Sequence, residues 1–266
     1  MSRPAAPTDP APRFVELAGG PAAYTEEGQG PPIVAIHGLP GSTRDFRWLG
    51  PALAPHFRFI RVDLPGFGAT PWRTHPAYAP EDRAAFVLDL VDALGLERPA
   101  LLGHSMGGVV GTAALHRRPE GFSALVLVAS PGLVVHRALR RFPGRTLSGW
   151  FAHPTRSKLT MPALRRTFRV AGFRGPYPDE ALLHTVHGAA AVDMAAHARR
   201  LRALRAPTAV VWCDDDPLIE PEIPAALDAL LPTGPRLHFA DGGHNPQKHY
   251  ALELAAALAA WPALRL

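Results

Sequence analysis

A single cysteine, Cys213, stands in a chain of 266 residues. That scarcity excludes an internal disulfide and a cysteine-built metal cluster, so nothing demands an oxidising compartment and a cytoplasmic location is expected. No apolar run approaches the roughly 18 residues of a spanning helix, so no stable membrane insertion is expected. The opening MSRPAAPTDPAP has no apolar stretch that could form a signal-peptide core, and its alternation of proline with small residues predicts a flexible tail over 1–12. Walker and dinucleotide fingerprints are missing, as is any His/Cys ligand spacing, so neither a cofactor nor a metal is predicted. No nucleic-acid partner is expected, and a homo-oligomer is left open. Acidic residues are absent from 131–178, which holds ten Lys or Arg: Arg137, Arg140, Arg141, Arg145, Arg156, Lys158, Arg165, Arg166, Arg169 and Arg174. The remaining 18 basic residues face 23 acidic ones, so the rest of the chain is net −5. A solvated Arg-rich surface explains this segment, and so does one that meets an anionic group of a substrate.

What is present is 47% apolar sequence, enough for one large core with an inserted segment. Strand-like runs alternate with helix-like stretches, as in parallel strands joined by crossover helices. Strands are predicted at 33–36, 57–62, 100–102, 125–129, 208–212 and 237–239, and helices at 81–94, 106–117 and 247–261. LVLVA and AVVW are continuous apolar runs, the mark of parallel strands buried on both faces. About 75 residues without a convincing strand separate the run ending at Ala129 from the one starting at Thr208. A structureless loop of that length is uncommon, and helical periodicity near 137–142, 161–170 and 190–204, broken by Pro143, Pro154 and Pro162, predicts a helical insertion over the strand ends.

Gly103-His104-Ser105-Met106-Gly107-Gly108 follows a predicted strand and opens a predicted helix. Small neighbours let strand and helix meet closely there and hold the serine at a sharp, strained turn. A serine hydroxyl is a poor nucleophile at neutral pH and needs a base, with a third group to orient that base. Two later loops offer them: Cys213-Asp214-Asp215-Asp216-Pro217 after one strand, and Gly242-Gly243-His244-Asn245 before the last helix. His238 would lie inside a strand and His249 inside a helix, which leaves His244 as the base.

With HisGlyLeuProGlySer at 37–42 and AspLeuProGlyPheGly at 63–68, these blocks resemble the α/β-hydrolase superfamily, in its esterase-like branch with a helical cap. The resemblance runs from about Phe14 to the end. It implies a mostly parallel, doubly wound sheet, with a core of 13–130 and 207–266 and a cap of 131–206 between strands 6 and 7. It implies Ser105 as nucleophile, His244 as general base and an acid at Asp216, with Asp214 and Asp215 as alternatives because Cys213 replaces a common glycine. Backbone N–H groups of Leu39 and Met106 would form the oxyanion hole. His37 and the Asp63 loop would be architectural, with Pro65, Gly66 and Phe67 near the pocket. Relatives that use an aspartate nucleophile, the haloalkane dehalogenases and epoxide hydrolases, are disfavoured by serine at 105. The implied activity is hydrolysis of a small-molecule carboxylic ester, with thioester, lactone or carbon–carbon cleavage as alternatives and a low-turnover ligand-binding receptor as a reading from another class.

Overall fold

Short β-branched apolar runs pair readily, and in the computed structural model, which describes residues 7–72, 78–141, 143–173 and 175–265, they form one eight-stranded sheet. Its strands are β1 (Arg13–Leu17), β2 (Gly20–Glu27), β3 (Pro32–Ile36), β4 (Arg58–Val62), β5 (Ala100–His104), β6 (Leu125–Val128), β7 (Thr208–Cys213) and β8 (Arg236–Phe239). They lie in the order β1-β2-β4-β3-β5-β6-β7-β8. From β4 to β8 all neighbours run parallel, while β1 and β2 add an antiparallel edge.

Because side chains alternate along a strand, each parallel strand feeds two separate cores. Val34, Ile36, Leu101, Leu125, Leu127 and Val210 face one side, where Phe86, Leu90, Val110 and Leu201 cover them. Ile33, Ala35, Leu102, Val126, Val128 and Val211 face the other, under Leu49, Leu53, Leu254 and Leu258. Each such large aliphatic side chain contributes about 1.5–3 kcal/mol when removed from water. The helices that supply the covers are α1 (Leu49–Leu53), α2 (Pro80–Ala93), α3 (Met106–Arg117) and, later in the chain, α8 (Met194–Ala203) and α11 (Ala251–Ala260).

Among the described residues, five helices connect β6 to β7: α4 (Arg137–Arg140), α5 (Gly144–Phe151), α6 (Pro154–Val170), α7 (Asp179–Ala190) and α8 (Met194–Ala203). The helix foreseen at 190–204 starts at Met194, and its Leu201 joins the core cluster of α2 and α3. Phe151, Met161, Leu164, Phe168, Leu182 and Val186 form a third cluster of their own. After β7 come α9 (Glu222–Ala225), α10 (Pro246–His249) and α11 (Ala251–Ala260). No helix among the described residues is long and apolar enough to cross a membrane.

Several expectations need adjustment. The β1–β2 hairpin was not foreseen. Pro162 lies inside α6 instead of ending a helix, and the last helix is two helices parted at Tyr250, whose φ is −123° and ψ 39°. Of the segment read as a flexible tail, 1–6 lie outside the described residues. Asp9 bonds the buried Arg61 guanidinium at 3.1 Å and pairs with Arg44 at 3.2 Å, and Glu27 holds the other arm of Arg61 at 2.7 Å.

Candidate active site

Ser105 stands alone between the last residue of β5 and the first of α3, with φ 52° and ψ −121°. A positive φ costs a non-glycine residue roughly 1–3 kcal/mol, and it persists only where the surroundings enforce it. Here the Ser105 N–H donates to the Val128 carbonyl at 2.8 Å. The strand and helix also touch backbone to backbone: a Cβ at Gly103 would lie 2.5 Å from the Gly107 carbonyl, and one at Gly107 would strike the Ile36 carbonyl oxygen. The crossing therefore admits only hydrogen at both positions.

The Ser105 hydroxyl donates to His244 Nε2 at 2.8 Å, and His244 Nδ1–H donates to Asp216 Oδ2 at 2.7 Å. Oδ1 of Asp216 accepts the N–H groups of Leu218 and Ile219 at 2.8 and 3.1 Å. Burial alone would raise this carboxyl. The His244 charge and hydrogen bond, with the two amides, outweigh that and hold it below the ordinary carboxylate range. Asp214 instead contacts His238 Nε2 at 2.6 Å, and Asp215 accepts the Gly243 N–H at 2.7 Å. Of the three consecutive carboxylates, only Asp216 meets His244.

His104, the residue before Ser105, is tied to the loop that carries His244. Its Nε2–H donates to the His244 carbonyl at 2.7 Å, fixing the backbone that carries the His244 imidazole. Burial first, then the neighbouring His244, pushes the His104 imidazole down to about 3, so it stays neutral. Nothing in the local sequence marks that contact, which joins residues 140 positions apart. His37 donates from Nδ1 to the Gly38 carbonyl at 2.6 Å and accepts the Leu64 N–H at Nε2 at 3.0 Å, tying two loops together. A Cβ on Gly38 would sit 3.0 Å from that of Ser105, so this loop passes close against the Ser105 side chain. Asp63 accepts the N–H groups of Thr43 and Ala69 at 2.7 and 2.9 Å, the contacts of an architectural residue.

Leu39 and Met106 both line the cavity above Ser105 and His244. The Met106 N–H is in the first turn of α3, where amides have no partner within the helix and the helix dipole favours negative charge. The cavity holds about 510 Å³. Phe168 and Phe173 line it and also pack in the cap's own core, Phe151 serves that core alone, and Trp150 is exposed beneath the Arg156 guanidinium. Pro65, Gly66 and Phe67 do not line it, and Gly66 borders a second cavity instead. Burial and the adjacent carboxylates push the Cys213 thiol up to about 12, far from a reactive thiolate. Among the described residues, no group of three or more His, Cys, Asp or Glu could hold a metal ion.

A sheet of this order, a strained serine between β5 and α3 and a helical layer between β6 and β7 define a hydrolase architecture. Residues 31–248 match the alpha/beta hydrolase fold family, and the chain belongs to it. It is 36% identical over 134 residues to the 2-hydroxy-6-oxo-6-(2'-aminophenyl)hexa-2,4-dienoic acid hydrolase of Metapseudomonas resinovorans. That alignment takes in 48% of this chain and 46% of the relative, so it spans about half of each. The uncharacterized hydrolase YugF of Bacillus subtilis is 24% identical over 241 residues, 83% of this chain and 87% of that one. The haloalkane dehalogenase DbeA of Bradyrhizobium elkani shares the fold, with a TM-score of 0.75 at 19% identity over 94% of this chain and 96% of its own.

Proposed function

We propose that this protein is a serine hydrolase that cleaves a carboxylic ester through an acyl-enzyme on Ser105. The observation that carries the reading is the unbroken relay from Ser105 Oγ through His244 to Asp216, at 2.8 and 2.7 Å, opening into a largely apolar cavity. As Oγ attacks the acyl carbonyl, its proton passes to His244 Nε2, and Asp216 stabilises the resulting imidazolium and keeps Nδ1 protonated. The carbonyl electrons move onto oxygen, where the Leu39 and Met106 amides act as oxyanion donors. Losing one donor of this kind costs about 100- to 1000-fold in rate. Collapse of the intermediate expels the alcohol, which takes the proton from His244. Water, deprotonated by the same imidazole, then releases the acid and restores Ser105.

A second reading is supported by the similarity to the dienoic acid hydrolase, whose named substrate carries an oxo group and no ester. In it, the same relay would attack a ketone and break a carbon–carbon bond. Hydrolysis of p-nitrophenyl esters from acetate to decanoate, by the wild type and by Ser105→Ala, separates the two. The ester reading expects a maximum at one chain length and a loss of about 10⁴-fold or more in the variant. Folded wild type that cleaves no member of the series, or a variant that retains the rate, overturns it.

A further inference from the structure

The cavity over Ser105 is apolar along most of its wall and carries formal charge at two points. Leu139, Phe168, Val170 and Leu218 contribute apolar surface. Among the described residues, the arginines that line it are Arg137 and Arg141, and no aspartate or glutamate does. Both belong to α4 and the residue that follows it. The carboxylate that reaches α4 is already committed: Glu220 accepts the Arg137 backbone N–H at 2.8 Å and pairs with the Arg140 guanidinium. Glu220 thus clamps α4 by its first amide and neutralises the one arginine of the three that does not line the cavity. The side chains of Arg137, half-buried, and Arg141, exposed, make no ion pair or hydrogen bond among the described residues. No acid in 131–178 is available to screen them.

We propose that Arg137 and Arg141 select substrates that carry a carboxylate at the end remote from the scissile carbonyl, a specificity that rests on the reading of Ser105 as nucleophile. A guanidinium presents a planar fork of donors that matches a carboxylate two bonds at a time. The apolar wall between the two arginines and the serine suits a short methylene chain, which leaves its charged end at α4 and its ester at Ser105. The substrate class is a monoester of a dicarboxylic acid, or an ester of an ω-hydroxy acid.

Two matched pairs test it and locate the charge. p-Nitrophenyl octanoate against mono-p-nitrophenyl suberate places the carboxylate in the acyl part. Hexyl acetate against the acetate ester of 6-hydroxyhexanoate places it in the alcohol part. The proposal expects kcat/KM to favour the anionic member of one pair by about tenfold or more, the least that one net charge-assisted hydrogen bond provides. In Arg137→Gln/Arg141→Gln that ratio falls to near one. Arg166→Gln/Arg169→Gln removes equal charge from exposed cap positions outside the cavity and keeps the ratio. Equal wild-type values in both pairs overturn the proposal while hydrolysis that needs Ser105 leaves the catalytic reading standing. An equal fall in both double variants also overturns it, because the cap's overall field would then be the cause. If neither pair is cleaved, the catalytic reading fails separately and binding decides. Ser105→Ala titrated calorimetrically with monomethyl adipate and methyl hexanoate should prefer the former, and should lose that preference with Arg137 and Arg141 replaced. Equal affinities refute the recognition.

Discussion

Asp216 is set apart from its two neighbours by its hydrogen bonds, not by its charge. Asp214 and Asp215 are spent on His238 and the Gly243 amide, whereas Asp216 has one oxygen on His244 and the other on two backbone N–H groups. Asp216→Asn keeps the shape but can present an amide N–H to Nδ1 and favour the wrong tautomer of His244, so kcat should drop by about 10⁴. Asp214→Asn and Asp215→Asn should stay within about tenfold of wild type, with circular dichroism showing all three folded. An Asp215→Asn loss as large as that of Asp216→Asn would reassign the acid. The sequence offers three carboxylates for one place, and loop geometry, which no spacing encodes, brings Asp216 alone of the three to His244.

At the scale of elements, the crossing of β5 with α3 depends on hydrogen at position 107, where a Cβ would meet the Ile36 carbonyl of the neighbouring strand. Gly107→Ala should destabilise by about 1–3 kcal/mol or more, read as a lower urea midpoint, since backbone on both sides leaves nothing flexible to yield. An unchanged midpoint would mean that β3 and α3 can separate at no cost. The parallel strands and α3 were legible because a strand buried on both faces must be a continuous apolar run, and LVLV and TAVVWC are such runs. The β1–β2 edge was not: RFVEL is short and largely exposed, GPAAYTEE mixes small and polar residues without a continuous apolar run, and the pair joins the sheet through β2 against β4. Pro162 misled in the other direction. It sits on an exposed face of α6, where water can satisfy the carbonyl that it leaves unpaired.

Across the whole molecule, buried neutral histidines make stability depend on pH. Burial, ahead of any neighbouring charge, holds His104 at about 3 and His197 at about 4, against 6.5 for the free side chain. Between those values the unfolded chain binds more protons than the folded one. Stability from these groups is therefore complete above 6.5 and is lost as the pH falls toward the folded values, with a slope of up to about 1.4 kcal/mol per pH unit for each. Thermal unfolding from pH 7 to pH 4 should show a steadily falling Tm, and His197→Gln, which can still donate to the Pro131 carbonyl, should flatten the decline. A Tm constant over that range would contradict the argument. The cap stands partly outside this economy of burial, because Phe151, Met161, Leu164, Leu182 and Val186 rest on one another and not on the strands. Substitutions in that cluster act on the cavity through Phe168 and Phe173, which pack against it and line the chamber, so the roof can be reshaped while the strands beneath keep their packing.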